Sequence, residues 1–266
     1  MALSLAEMTV WVSRPAPQGA VLADALQKYG ANTIIQPAMA IEPCPEASEA
    51  WRGAKSLIMD LDNFQHIIFI STNAVCHGMA IIETYWPQLP QQQIWYAIGQ
   101  STADALASFG VKAQQPTQGS NSEALLQLPG LHQVTDAKIL IISGLGGRQF
   151  LRQQLQDRGA RVSVAECYQR SLPDNLAADL AQQLSQSGID VITAGSVETL
   201  QNLLVISANQ ADAIIQYAVV VPGQRVADAA AKLGFHEIIT ANSASNEDTA
   251  TALSHWWQQR RPNQGE

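Results

Sequence analysis

The sequence predicts an α/β protein made of two similar doubly wound parallel-sheet domains joined by a two-stranded linker. Three observations carry that prediction. First, the chain repeats itself: Ile70-Ser71-Thr72-Asn73-Ala74-Val75, Gly99-Gln100-Ser101-Thr102-Ala103, Phe109-Gly110 and Ser122-Glu123-Ala124 return as Ile192-Thr193-Ala194-Gly195-Ser196-Val197, Gly223-Gln224-Arg225-Val226-Ala227, Leu233-Gly234-Phe235 and Asn246-Glu247-Asp248. An offset that stays within 122 to 124 residues is a duplicated domain, since solenoid repeats have much shorter periods. Second, short β-branched runs alternate with amphipathic helical stretches, which is the pattern of parallel sheets covered by helices. Third, runs such as Ile67-Ile68-Phe69-Ile70 and Ile139-Leu140-Ile141-Ile142 do not alternate apolar with polar, so they read as strands buried on both faces.

The elements follow in order. Thr9–Val12 reads as a strand. Gln18–Tyr29 then places Val21, Leu22, Ala25, Leu26 and Tyr29 on one helical face and ends at Gly30, a good residue just past a helix. Further strands are expected at Asn32–Gln36, His66–Ile70, Ile94–Ile98, Val111–Ala113, Lys138–Ile142, Arg161–Cys167, Asp190–Thr193, Tyr217–Val221 and Glu237–Thr240. Helices are expected at Ser101–Phe109, Ser122–Leu128, Arg148–Arg158, Val197–Ser207, Arg225–Leu233 and Asn246–Gln258.

Two stretches read as connections. Residues 37–45 hold Pro37, Pro43 and Pro45, which oppose helix and central strand positions, and 168–175 hold Pro173 among polar residues. The expected organisation is a discontinuous first domain of residues 1–37 plus 173–260, a second domain of 44–168, linkers at 38–43 and 169–172, and a disordered tail at 261–266. Two domains make a cleft, and a cleft is where ligands bind.

Composition narrows the function. The chain is 47% hydrophobic and 14% charged, ordinary for a protein with well-formed cores. A net charge of −8 disfavours a nucleic-acid surface. No segment approaches the roughly 20 apolar residues of a membrane span. Residues 1–9 lack a basic region and carry Glu7, so they do not read as a signal peptide, and a cytoplasmic protein is expected. Three cysteines without a CxxC pair argue against a disulfide framework, and five histidines without HxxxH or HExxH spacing argue against a metal site.

The chemistry is expected at the carboxyl ends of the strands. Small and hydroxyl residues collect there: Ser13-Arg14-Pro15, Ser71-Thr72-Asn73, Gly99 with Thr102, Ser122, Ser143-Gly144-Leu145-Gly146-Gly147-Arg148, Thr193 with Ser196, and Gly223 with Arg225. Each hydroxyl alone reads as a helix N-cap. Together, exposed helix N-termini and glycine-rich backbone present N–H donors to a ligand with several carboxylates or phosphates. Arg14, Arg148 and Arg225 read either as solvent-exposed charge or as bidentate carboxylate clamps. The spacing of Gly144, Gly146 and Gly147 does not match a dinucleotide fingerprint. Tyr168, at the end of a strand and the start of the return linker, reads either as an amphipathic hinge residue or as a weak general acid.

With those residues in hand, the chain resembles the uroporphyrinogen-III synthase family. The likeness runs nearly end to end, from Val12-Ser13-Arg14-Pro15 with Gln18 to the helix at Asn246–Leu253. It rests on Ser71-Thr72-Asn73-Ala74-Val75, Ala97-Ile98-Gly99 with Thr102-Ala103, Ser122-Glu123-Ala124-Leu125-Leu126, Gly144-Leu145-Gly146-Gly147-Arg148 with Leu155 and Gly159, and Cys167-Tyr168-Gln169-Arg170. The resemblance implies flavodoxin-like or related domains and a cofactor-free, cytoplasmic, monomeric enzyme. It implies a linear tetrapyrrole substrate, hydroxymethylbilane, received in transient contact with the enzyme that forms it. That substrate would be cyclised to uroporphyrinogen III with loss of water and inversion of ring D through a spiro intermediate. Tyr168 would assist departure of the hydroxyl. Two departures stand out. A Gly-Pro-Thr-Thr-Ala-like turn is here Gly223-Gln224-Arg225-Val226-Ala227, and a Thr-Ser element is Thr193-Ala194, which points to Arg225 and backbone N–H groups for carboxylate binding.

The competing reading is a two-lobed α/β binding protein for a polyanionic small molecule, without catalysis. It shares the cleft and the crossing strands, and lacks a use for Tyr168.

Overall fold

A computed structural model describes residues 3–147, 149–173, 188–207 and 214–260. The chain divides into two compact units, one formed by residues up to Ala40 together with those from Ser171 onward, the other by Ile41–Arg170. Each is a five-stranded sheet with helices against it. The expected tail, 261–266, lies outside the described residues.

The discontinuous unit contains β1 (Thr9–Val12), α1 (Gln18–Gln27) and β2 (Asn32–Ile35), then β8 (Val191–Thr193), α7 (Val197–Ile206), β9 (Ala218–Val221), α8 (Gln224–Lys232), β10 (Ile238–Thr240) and α9 (Asn246–Arg260). Its sheet runs β10-β9-β8-β1-β2, and its pairings are parallel throughout. Trp11, Ile192, Val219 and Val221 point to one face, where α7 and α8 supply Leu200, Leu203, Val226 and Ala230. Val10, Val12, Val191 and Val220 point to the other, against Leu22 and Leu26 of α1 and Leu253 of α9. Strands buried on both faces have no polar alternation, as the sequence pattern indicates.

The contiguous unit contains β3 (Ala40–Pro43), α2 (Glu49–Met59), β4 (His66–Phe69), α3 (Thr72–Tyr85), β5 (Ile94–Ala97), α4 (Gln100–Ala107), α5 (Ser122–Leu125), β6 (Lys138–Gly144), α6 (Phe150–Asp157) and β7 (Arg161–Ser171). Its sheet runs β3-β7-β6-β4-β5, with β7, β6, β4 and β5 parallel. Ile67, Phe69, Leu140 and Ile142 pack with α2, α3 and α4 on one face. Ile68, Ile139, Ile141 and Tyr96 pack with α5 and α6 on the other. Full burial of an aliphatic side chain of this kind contributes about 1.5–3 kcal/mol, and these strands consist of little else.

The repeat is visible as a permutation. By the offset in sequence, β4 and β5 correspond to β8 and β9, and α5 corresponds to the start of α9. The order β2-β1-β8-β9-β10 then matches β7-β6-β4-β5 followed by a single bridge at Gln114. The strand–helix–strand piece that opens one unit, β1-α1-β2, is the piece that closes the other, β6-α6-β7.

One expectation of the sequence is corrected here. Val111–Ala113 is not a strand. The edge it was expected to form shrinks to the bridge between Tyr96 and Gln114, where Gln114 N–H donates to Trp95 O at 2.8 Å and Ala97 N–H donates to Gln114 O at 2.9 Å. A parallel ladder would next need the N–H of residue 116, and residue 116 is proline, which has none. The fifth strand is instead β3, within the first arm of the expected two-stranded linker. It lies at the sheet edge, the place where Pro43 is tolerated. Residues 169–171, also expected as linker, continue β7.

Candidate functional site

In the contiguous unit the carboxyl ends of β4, β6 and β7 gather one group of side chains. Its centre is Tyr168, 2% exposed. A bulge in β7 sets its direction. Ser143 pairs with Glu166, but the next residue, Gly144, pairs with Tyr168, so Cys167 is the extra residue. In a regular ladder Tyr168 would alternate to the face occupied by Val162 and Val164; with the bulge, Ala165, Cys167 and Tyr168 all lie in the same core cluster. Gly144 makes room for the ring: a Cβ there would lie 2.5 Å from Tyr168 Cε2 and 2.6 Å from Cζ.

The phenol meets Ser71, the N-cap of the fourteen-residue helix α3. Ser71 Oγ accepts from Ala74 N–H at 2.9 Å and lies 3.1 Å from Tyr168 Oη. From the next turn of α3, the His77 ring stacks on Tyr168 with centroids 5.4 Å apart. Burial pushes the His77 imidazole below the ordinary histidine range, so its neutral form is favoured.

The turn after β6 is pinned at successive amides. Leu145 N–H donates to Tyr168 O at 2.7 Å, Gly146 N–H to the Glu166 carboxylate at 3.0 Å, and Gly147 N–H to Gly144 O at 3.2 Å. Gly146 takes φ +68°, which favours glycine there. On the opposite face of the sheet, a cleft of about 250 Å³ opens between Ile70, Ile98, Ile141 and Val164, with Ser122, Ser143, Arg152 and Glu166 at its polar wall.

The structure sorts the expected site residues. Ser71, Gly144 and Tyr168 come together, with Thr72 and Asn73 in the first turn of α3. Ser143 and Ser122 share the cleft. Gly99 precedes α4 with Ser120 Oγ 2.5 Å from where its Cβ would be, while Thr102 is buried inside α4. Arg148 lies outside the described residues. In the discontinuous unit, Thr193 is buried and joined to Ser13, whose N–H donates to Thr193 Oγ1 at 3.0 Å and whose hydroxyl donates to Thr193 O. Ser196 caps α7 through Thr199 N–H at 3.1 Å. Arg14 reaches Asn246 Oδ1 at 3.1 Å and Ala244 O at 3.0 Å, holding the start of α9. Gly223, at φ +151°, opens α8, and Arg225 is exposed in the first turn.

Sequence reasoning missed His77, Glu166 as the holder of the Gly146 turn, and Arg152. The helical spacing Ser71–Ala74–His77 was the available signal for the first, since i, i+3 positions share a helix face. Among the described residues no cluster of histidine, cysteine or acidic side chains could hold a metal ion, and no helix is long and apolar enough to cross a membrane.

Fold and site define a class: a duplicated, permuted parallel α/β protein with hydroxyl- and glycine-rich turns at the strand ends of each unit. The model of the family described as "Uroporphyrinogen-III synthase HemD" matches residues 20–250. The uroporphyrinogen-III synthase of Escherichia coli (strain K12) is 30% identical over 254 residues, spanning 92% of this chain and 100% of that protein. That of Salmonella typhimurium is 29% identical over 252 residues, with the same coverage of 92% and 100%. A mutant uroporphyrinogen III synthase from Thermus thermophilus shares the fold at a TM-score of 0.61 and 16% identity, covering 96% of this chain and 100% of that one. The Helicobacter pylori 26695 enzyme shares it at 0.57 and 18%, covering 95% and 99%. The chain belongs to the uroporphyrinogen-III synthase family.

Proposed function

We infer that this protein converts hydroxymethylbilane into uroporphyrinogen III, in haem and related tetrapyrrole biosynthesis. The observation that carries this reading is the family match across residues 20–250, with a relative 30% identical over its whole length. The bilane closes without help to the type I isomer, so the protein's task is to hold one folded geometry. That is catalysis by orientation, to which fixed donors and a placed acid add.

In the scheme we propose, the hydroxymethyl C–O bond breaks, the oxygen leaves as water, and a conjugated azafulvene remains. The substituted carbon of ring D attacks it, the spiro intermediate fragments, and the macrocycle recloses with ring D inverted, a cyclising hydro-lyase reaction. Tyr168 is the source of the proton that assists departure of the hydroxyl, handed over by its own O–H or through a neighbouring hydroxyl. Its placement at the strand ends, with the Gly144 notch that admits its ring, supports this role. Arg225 and the N–H groups opening α8 are suited to substrate carboxylates, because a cation in a helix's first turn opposes the helix dipole unless an anion joins it. The strand order of the discontinuous unit is the flavodoxin-like 2-1-3-4-5, and that of the contiguous unit, counted along the repeat, follows it for four strands with β3 added beyond β7; with helices on both faces, this supports the finer fold assignment. The same reading takes the enzyme as a cytoplasmic monomer that receives its labile substrate directly from the enzyme forming it.

The test is the isomer ratio of uroporphyrinogen formed from fresh hydroxymethylbilane with and without the protein. Predominantly type III product is expected; type I at the spontaneous rate from folded protein overturns the reading. Tyr168→Phe is expected to lower turnover by about 10²-fold or more while remaining folded. Wild-type turnover in that variant would remove the acid role.

A further inference from the structure

Tyr168 is 2% exposed, while Ser71, its hydrogen-bond partner, is only partly buried. A buried O–H needs an acceptor, and among the described residues Ser71 Oγ is the one within reach of the phenol. Either hydroxyl could donate across this contact, and the arrangement that gives the buried phenol its acceptor has Tyr168 donating to Ser71 Oγ. Ser71 Oγ also accepts from Ala74 N–H. A hydroxyl oxygen has two lone pairs and one proton. In that arrangement both lone pairs are engaged, and the Ser71 proton is left for a further acceptor.

We propose that Ser71, and not Tyr168, presents the acidic proton to the substrate, so that the two hydroxyls form a relay with Ser71 as the catalytic residue and Tyr168 acting through it. This rests on the reading of the chain as the type III-forming enzyme. As the C–O bond of the hydroxymethyl group breaks, its electron pair stays on oxygen, which takes the Ser71 proton and leaves as water. Ser71 Oγ takes the Tyr168 proton in the same movement, leaving a phenolate. The proton that the cyclised product must shed returns to Tyr168 by the reverse path, so the balance is bilane to macrocycle plus water. The N-terminus of α3 points its free N–H groups at Ser71, favouring negative charge as it develops nearby. The groups facing Tyr168 do not compete for its proton. His77 of α3 offers a ring face, Cys167 of β7 and Cys44 beyond β3 are buried thiols held protonated, and Glu166 lies on the other face with Gly146 N–H.

The experiment is single-turnover conversion of hydroxymethylbilane by a saturating excess of the full chain carrying Ser71→Asn, Ser71→Thr, Tyr168→Phe, and the Ser71→Asn/Tyr168→Phe pair, with thermal melts of each. Asn caps a helix as well as Ser, and its amide oxygen can accept from both Ala74 and Tyr168, but it has no acidic proton to hand on. Ser71→Asn is expected to melt near wild type and to react about 10²-fold slower. Ser71→Thr is expected to recover most of the rate, and the double variant to be no slower than the slower single, as for residues that act as a unit. A wild-type rate in Ser71→Asn, or losses that multiply in the double variant, would overturn the relay while type III product from the wild-type chain left the functional reading standing. Type I product from the wild-type chain itself would overturn both.

Discussion

Two half-buried histidines show how a single side chain can tie the stability of the fold to pH. His66 at the start of β4 has Nδ1 3.2 Å from Tyr96 Oη, and His77 lies on Tyr168. Burial lowers the pKa of both below the ordinary 6.5. Above that value both are neutral in folded and unfolded chain alike. As pH falls through it, the unfolded chain takes up protons first and is stabilised, so folding stability declines. The buried thiol of Cys167, pushed up to about 12 from 9.0, acts at the other end: above pH 9 the unfolded chain loses that proton first, and stability declines again. Thermal melts are expected to be flat between about pH 7 and 8.5, to fall on both sides, and to lose much of the acid-side fall in a His66→Gln/His77→Phe variant. An acid limb unchanged in that variant would assign it to other groups. None of this was legible beforehand. The sequence shows five histidines without metal-binding spacing, and which of them is buried depends on the helix and strand packed over it.

At the level of the element, the bulge in β7 decides what the site contains. The duplicated α/β architecture could be read from the repeat and from the doubly apolar strands, because both leave a mark on residue type. A one-residue insertion in a ladder leaves no such mark. Arg161–Cys167 reads as a strand that stops before Tyr168, whereas the strand continues to Ser171 and the tyrosine is turned inward midway. The position of Tyr168 along the chain was therefore apparent, and its burial against Ser71 and His77 was not. The lost edge strand has the same moral. Val111-Lys112-Ala113 has the composition of a short strand, and its fate turns on the missing donor of Pro116 three residues on. The bulge also makes a sharp prediction. Gly144→Ala would place a methyl group 2.5 Å from the Tyr168 ring. Overpacking of this kind destabilises by about 1–3 kcal/mol, so the variant should melt lower and, by shifting the phenol from Ser71, lose activity out of proportion to the unfolded fraction. Gly144→Ala with wild-type melting and turnover would show that the notch has no such role.

In the sequence of the whole molecule one unit is interrupted by the other. Residues 41–170 form their sheet from a continuous stretch, while the other sheet joins β1 to β8 through the register of Val10 with Val191. Contacts so distant in sequence close slowly. Stopped-flow refolding, followed by pulse-labelled hydrogen exchange, should protect amides of β4 and β6 before those of β1 and β8. Simultaneous protection would mean that the two sheets form as one cooperative unit.

The permutation has a further consequence during synthesis. When β1, α1 and β2 leave the ribosome, β8, the second neighbour of β1, has not been made, and about 155 residues must follow β2 before it is. At about 5–20 residues per second, the β1-α1-β2 segment waits for many seconds as an amphipathic fragment with an unpaired edge. A contiguous unit matures beside it in that interval. The time for which that edge stays open is thus set by the size of the insertion.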